Sequence, residues 1–148
     1  MHLLPKTLQD LQFKTVVETI AQCAVTDLGK EACETIVPFK EKEVLFENLA
    51  HTTEFLSSFE NGNVMPNHGF ESVSSEIKLL QIENSVLDLL GFRRIVGLTE
   101  TALTLIQFLQ KNTEYYPQLS AYTEQFLLKK EIIILIQSVI DKYGEIKD

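Results

Sequence analysis

The stretch from Ser85 to Asn112 constrains the fold most, because it is the longest segment with an uninterrupted helical pattern. Apolar side chains recur there every three or four residues along two adjacent lines, as on a helix that is buried over most of its circumference. The segment is about 40 Å long if it is helical throughout. We therefore predict a long central helix on which the other helices pack. The stripe predicted to face solvent contains Arg93, Gly97, Glu100, Thr104, Gln107 and Lys111.

Helical patterns cover most of the remaining sequence. Capping boxes predict that one helix begins at Thr7 and runs to about residue 24, and that the long helix begins at Ser85. Thr26 is a candidate N-cap for a helix that Pro38 ends. The run at 132–134 is β-branched and is compatible with a buried strand, but the three-and-four spacing that continues to residue 140 favours a helix. Other helices are predicted over 41–60, 74–80 and 118–126.

The predicted fold class is all-α, an irregular multi-helix bundle organised on the long central helix. A chain of 148 residues is long enough to bury one core, so we predict a single helical domain over 1–148. Glycine, proline and asparagine cluster in the loop at 61–72, which is the candidate sub-boundary. In the tail, Gly144 and the alternation after it are compatible with a small β-hairpin. The chain offers no further strand to pair with it, so we expect this end of the fold to be unfinished.

The charge balance argues against a main nucleic-acid surface. The formal net charge is −8, and carboxylates outnumber basic residues in both halves of the chain, whereas proteins that grip DNA neutralise phosphates with Lys and Arg. No apolar run approaches the length of a membrane span, and the first residues do not resemble a signal peptide. We expect a cytoplasmic protein without a membrane partner. Free thiols are accordingly expected for Cys23 and Cys33.

No motif for catalysis, nucleotide binding or metal binding is present in the sequence. The glycines lack the spacing and the Lys-Ser/Thr pair of a phosphate-binding loop. The histidines and cysteines form no close ligand pair, although a metal-dependent enzyme that uses His51 and the two cysteines is a weaker alternative. The carboxylates are spaced as on a solvated helix face. We predict no catalytic, cofactor-binding or metal-binding residue, and no cofactor, in this chain.

Glycines and basic doublets are the remaining conspicuous features. Glycine is unfavourable inside a helix, so Gly91 and Gly97 predict either a bend or a close contact with another element. Four glycines are candidate structural or coupling positions: Gly29, Gly91, Gly97 and Gly144. The doublets at 93–94 and 129–130 are interpreted as solvated helix surface, and contact with a phosphate or an acidic partner is the alternative.

Three groups of residues, in order along the chain, resemble the second bacterial branch of the MutS family. The first group is the apolar pattern from Leu11 to Ala24, followed by Gly29-Lys30-Glu31 and Pro38. The second comprises Leu49, Thr52, Glu54, Asn61-Gly62, Pro66, Gly69 and Phe70, and the third comprises Ile140-Asp141, Gly144-Glu145-Ile146 and Asp148. Between about 99 and 138 the resemblance is one of pattern rather than of motif.

This resemblance implies that the chain is the N-terminal core fragment of a larger protein. Members of the branch are homodimeric, DNA-associated ATPases that require ATP and Mg²⁺, usually carry a downstream endonuclease domain, and act in recombination control, DNA repair and stalled-ribosome rescue. The Walker motifs of the family lie downstream, so the resemblance assigns no catalytic residue here. It implies a mechanical role between lever arms and ATPase, with the remaining domains as partners and with DNA or the ribosome reached through them. The alternative is a free-standing acidic helical adaptor that binds a protein partner.

Overall fold

A computed structural model describes residues 4–60, 62–126, 130–141 and 145–147, and these residues form eight helices. No strand occurs among them, so the predicted all-α class is confirmed. The chain divides into two compact units, Met1–Thr53 and Glu54–Asp148, and the division falls inside a helix rather than in the loop at 61–72. The single domain over 1–148 stays a prediction.

Three short helices form the start of the first unit: α1 (Pro5–Asp10), α2 (Phe13–Gln22) and α3 (Asp27–Glu34). The prediction of one helix from Thr7 to residue 24 was wrong. α1 already begins at Pro5, whose missing amide hydrogen is not needed in a first turn, and Gln12 interrupts the helix with a φ of 52°. A right-handed helix cannot continue through a residue with positive φ, and the amide of Gln12 donates to the carbonyl of Gln9, only three residues back, at 3.0 Å.

The next helix boundary follows the predicted capping. Thr26 is the N-cap of α3, and its hydroxyl oxygen accepts a hydrogen bond of 3.0 Å from the amide of Gly29. α2 packs against α3 and buries Val17 and Ala21. α4 (Lys42–Ser57) then crosses the division between the two units.

The second unit is built on the long helix. It contains α5 (Ser74–Leu80), α6 (Leu89–Lys111), α7 (Pro117–Thr123) and α8 (Glu131–Val139). α7 and α8 both pack against α6. The helical interpretation of 132–134 is therefore confirmed. The buried apolar side chains of this unit are those of Val73, Leu87, Leu109, Tyr116 and Ile140.

α6 begins later than the capping box predicted. Asp88, not Ser85, is the N-cap, because its carboxylate accepts a hydrogen bond of 2.7 Å from the amide of Gly91. The hydroxyl of Ser85 instead donates to the carbonyl oxygen of Leu79, in the last turn of α5. The predicted solvent stripe is confirmed, because all six of its residues are exposed.

The tail forms one antiparallel bridge between Ile140 and Ile146. The amide of Asp141 donates to the carbonyl of Glu145, and the amide of Lys147 donates to the carbonyl of Val139, both at 2.8 Å. Among the described residues the pairing goes no further than this bridge, so the hairpin stays a prediction. Residues 142–144, which include Gly144, lie outside the described residues.

Candidate functional site

Gly91, in the first turn of α6, lies where α5 and the N-cap of α6 approach its Cα closely. A Cβ atom on Gly91 would lie 3.1 Å from Asp88 Oδ1 and 3.1 Å from Glu76 Cγ. Contacts this short are unfavourable in a packed interior. The glycine therefore allows Asp88 to cap α6 while Glu76 of α5 lies against the same turn. The close contact with another element, one of the two alternatives predicted for Gly91, is therefore present.

Arg94 joins three segments by charged hydrogen bonds. Its Nε donates to Glu71 Oε2 at 2.7 Å, and its Nη1 donates to Glu76 Oε1 at 2.9 Å. Glu71 belongs to the loop before α5, and Glu76 is buried, with 5% of its surface exposed. Hydrogen bonds between charged groups are roughly twice as strong as those between neutral groups. We call Glu71, Glu76, Gly91 and Arg94 the clamp, because they fix this loop and α5 to α6.

The clamp stabilises the charged forms of Glu76 and Arg94. The pKa of Glu76 is lowered, first by a hydrogen bond of 2.8 Å from the Ser75 hydroxyl and then by the Arg94 guanidinium, which outweigh the effect of burial. The pKa of Arg94 is raised by its hydrogen bonds to Glu71 and Glu76. The prediction that Arg94 is solvated helix surface was therefore wrong.

A neighbouring face of the same two turns is open. Arg93 and Gly97 are exposed, and a Cβ atom on Gly97 would meet nothing within 4 Å. Two clefts, of about 450 and 260 Å³, share these two residues as part of their lining. One cleft is closed on its far side by α8 and the tail, and the other by the loop at 69–71. We call the two clefts together the Gly97 groove.

A further long-range contact holds the start of α7. Both carboxylate oxygens of Glu54 accept hydrogen bonds of 2.9 Å, from the amides of Gln118 and Leu119. These amides belong to the first turn of the helix and have no partner within it. The adjacent Tyr116 is completely buried, and its hydroxyl donates to the carbonyl of Asn63 at 2.5 Å. The loop after α4 is thus tied to α7.

Sequence reasoning missed the roles of Glu54, Glu71 and Glu76: it interpreted Glu54 as part of a solvated helix face and predicted no role for the other two. Their partners are 64, 23 and 18 residues away in sequence, so no local spacing indicates the pairs. The available signal was weak: Glu76 is a carboxylate in a helix that begins Ser74-Ser75, after a loop that contains another glutamate, Glu71.

The other predicted positions are distributed along the chain. Gly29 lies in the first turn of α3, where a Cβ atom would lie 3.0 Å from the Thr26 hydroxyl oxygen. The coupling role of Gly29, Gly91 and Gly97 stays a prediction. Of the second basic doublet, Lys130 is exposed, and Lys129 lies outside the described residues.

The candidate ligands for a metal are not clustered. Cys23 and Cys33 are free thiols, as predicted. Within the described residues, no group of three or more His, Cys, Asp and Glu side chains is arranged to hold an ion. Nor does any described helix combine the length and the apolar character that crossing a membrane requires.

Comparison with known proteins gives three similar sequences, all of them bacterial proteins named Endonuclease MutS2. The chain is 24% identical over 143 residues to that of Symbiobacterium thermophilum. It is 23% identical over 145 residues to that of a Geobacillus species and 25% identical over 146 residues to that of Bacillus velezensis. Each match covers 97% of the chain but 18% of the relative's length. No protein-family model and no solved structure matches the chain.

These matches confirm the resemblance to the second bacterial branch of the MutS family, because they extend over nearly the whole chain. They also include the region from about 99 to 138, where the sequence offered only a pattern. The chain spans slightly less than a fifth of each relative, so it is similar to one part of those proteins.

Proposed function

We propose that this chain is a non-catalytic helical region of a MutS-family protein, and that it transmits movement between the other domains of that protein. The observation that carries the proposal is the similarity to MutS2 proteins over 97% of the chain but 18% of their length. The relatives are named as endonucleases, and the motif search in the sequence assigned neither nucleotide binding nor cleavage to this segment. Those activities belong to other parts of the parent protein in this proposal.

The two sides of α6 support a mechanical role. The clamp fixes α5 and the loop before it to the helix through charged hydrogen bonds, so these segments and α6 move as one body. The other side of the same helix carries the Gly97 groove, which leaves room for a further element. A helix that is held on one side and open on the other can pass a displacement from one domain to the next.

The parent protein in this proposal is a homodimeric, cytoplasmic ATPase that uses ATP and Mg²⁺ and has an endonuclease domain. It contacts DNA or the ribosome through domains other than this one. Support for this division of labour is the net charge of −8 on the present chain, because a surface that neutralises phosphates needs an excess of Lys and Arg. Recombination control, DNA repair and ribosome rescue are the processes that the family resemblance implies.

The experiment compares this chain with the polypeptide encoded by its complete reading frame. ATP hydrolysis and binding to duplex DNA are measured for both proteins at the same salt concentration. We expect no activity from the 148-residue chain and both activities from the longer polypeptide. Clear ATPase activity or duplex binding by the 148-residue chain contradicts the proposal.

A variant tests the mechanical part separately. Arg94→Ala, in the longer polypeptide, is expected to reduce the change in ATPase rate that DNA causes, without changing the affinity for nucleotide. Lys111→Ala is the matched control, because Lys111 is exposed at the end of the same helix and lies outside the clamp. If Arg94→Ala leaves the response to DNA intact in a folded protein, the clamp does not transmit movement.

A further inference from the structure

No contact with a described residue explains why position 97 is a glycine. It lies in the middle of α6, where glycine is the least favourable residue after proline. The space beside its Cα is open, because a Cβ atom would meet nothing within 4 Å. Gly91 in the same helix has such a reason, because Glu76 and Asp88 fill the corresponding space. A missing side chain in an open position allows another backbone to approach closely.

The residues around Gly97 line a concave surface that can bind another element. The larger cleft on one side is lined by Val96, Ile136 and Ile140 together with polar side chains, and the smaller cleft on the other side by Phe70, Leu90 and Leu98. Because both clefts include Gly97, they meet at the point where the helix surface is lowest. Their combined lining is partly apolar, which is typical of a surface that binds another protein element.

The charged side chains of the groove indicate which charge a bound protein element should carry. No carboxylate among the described residues pairs with Arg93, whereas its neighbour Arg94 has two. Glu100 accepts a hydrogen bond from Gln137 at 3.2 Å, and the Lys147 ammonium donates to the Gln137 carbonyl. Arg93 is therefore a guanidinium at the centre of the groove to which a carboxylate can bind with two parallel hydrogen bonds.

A nucleic acid fits this site less well than a protein element. Glu71, Glu100 and Asp141 also line the two clefts. A phosphate backbone places a negative charge at short, regular intervals, so it would bring several charges close to these carboxylates. A single carboxylate on a helix can reach Arg93 and avoid them.

We propose that the Gly97 groove binds an α-helix of the parent polypeptide from outside residues 1–148, with its backbone close to Gly97 and a carboxylate on Arg93. This inference rests on the proposed function, since it takes the occupant from the part of the MutS-like protein that the present chain does not include. Helix axes approach more closely where the side chains at the contact are small. The glycine and the arginine thus define the point of contact and the register of the bound helix.

Cysteine labelling tests whether the groove is covered. Glu100→Cys, which keeps Gly97 and lies in the larger cleft, is introduced together with Cys23→Ser and Cys33→Ser, in both the 148-residue chain and the polypeptide of the complete reading frame. The rate of reaction with a maleimide is then measured under native conditions. We expect labelling at 100 to be about tenfold slower or more in the longer polypeptide, which corresponds to docking favoured by about 1.4 kcal/mol. Gln107→Cys is the matched control on the same exposed stripe, outside both clefts, and its rate should agree within about twofold between the two proteins.

A charge reversal tests the carboxylate. Arg93→Glu in the longer polypeptide should restore fast labelling at 100, and Arg93→Lys should keep most of the protection. Because Arg93 is exposed, both variants should fold, which circular dichroism of the 148-residue chain checks.

Three outcomes overturn the inference. Equal labelling rates at 100 in the two proteins show that no element covers the groove, although the proposed function still stands. Protection that arises only after duplex DNA is added shows that the groove binds nucleic acid instead. A reading frame that encodes no further domain contradicts the proposed function itself and removes the occupant with it.

Discussion

Two sides of one helix differ although they are built from the same residue types. Gly91 and Arg94 are packed against Glu71, Glu76 and Asp88, whereas Arg93 and Gly97 face an open groove. Residues three or four positions apart lie on the same face of a helix. Gly91 lies two positions before Arg93 and six before Gly97, so it does not share their face. Arg94 lies three positions from each glycine, and it both forms the clamp and lines the smaller cleft of the groove.

The comparison shows that the spatial neighbours of a helical residue indicate whether it has a structural role within this chain. On the packed side, both residues have partners within the chain. Gly91 lies against the side chains of Glu76 and Asp88, and Arg94 forms hydrogen bonds with Glu71 and Glu76. On the open side, neither residue has such a partner among those that the structure describes. The residues of the packed side therefore stabilise this chain, and those of the open side are available for the interaction that we propose.

The largest effect is expected where α6 forms the core. Leu109 is buried near the end of the helix, and Leu109→Ala should reduce the free energy of unfolding by about 2 to 5 kcal/mol through lost burial and the cavity that remains. Gln107→Ala, on the exposed stripe, should change it by less than about 0.5 kcal/mol. Urea unfolding followed by circular dichroism measures both. Similar losses for the two variants would mean that the two sides of α6 do not differ in packing.

The same substitution at the two glycines tests the comparison directly. Gly91→Leu should destabilise the 148-residue chain by about 1 to 3 kcal/mol, because the new side chain must displace Glu76 and disturb the Asp88 cap. Gly97→Leu should stabilise it by up to about 1 kcal/mol, since leucine favours the helix and the space is open. Thermal and urea unfolding of both variants give the signs. A loss of stability for Gly97→Leu in the 148-residue chain would show that the groove is smaller than the structure indicates.

The sequence predicted the helices of this fold better than the contacts between them. Spacing along one segment was sufficient for α5, for the exposed stripe of α6 and for the helical form of residues 132–134, because each depends on neighbours within a few residues. It failed at Gln12, where the backbone turns left-handed, and at Ser85, where two nearby polar residues competed for the same cap. It also gave no indication of the contacts of Arg94, Glu54 and Tyr116. Their partners lie on other segments, so the pairing becomes visible only when the chain has folded.

Glu54 extends the comparison to a charged residue of α4. Glu54→Ala should reduce the free energy of unfolding by about 0.5 to 2 kcal/mol, the usual range for the loss of a helix cap, because two amides of α7 lose their acceptor. Glu47→Ala is the matched control, since Glu47 is an exposed carboxylate on the same helix. Urea unfolding of the two variants measures the difference. Equal stability of Glu54→Ala and Glu47→Ala would show that the cap does not form in solution.

The smallest expected effect is a difference in pH dependence, which tests whether the clamp holds charged groups. Because the pKa of Glu76 is lower in the folded chain than in the unfolded chain, its contribution to stability is complete above the ordinary glutamate pKa and is lost as the pH falls through the lowered value. The loss of stability between about pH 5 and pH 3 should therefore be shallower for Glu76→Gln than for the unmodified chain. Arg93→Gln, on the open side, should leave this slope unchanged, whereas Arg94→Gln should make it shallower, because the Arg94 guanidinium is one of the groups that lower the pKa of Glu76. Urea unfolding at several pH values in this window measures the slopes, and the same slope for Arg93→Gln and Arg94→Gln would contradict the division of α6 into a packed and an open side.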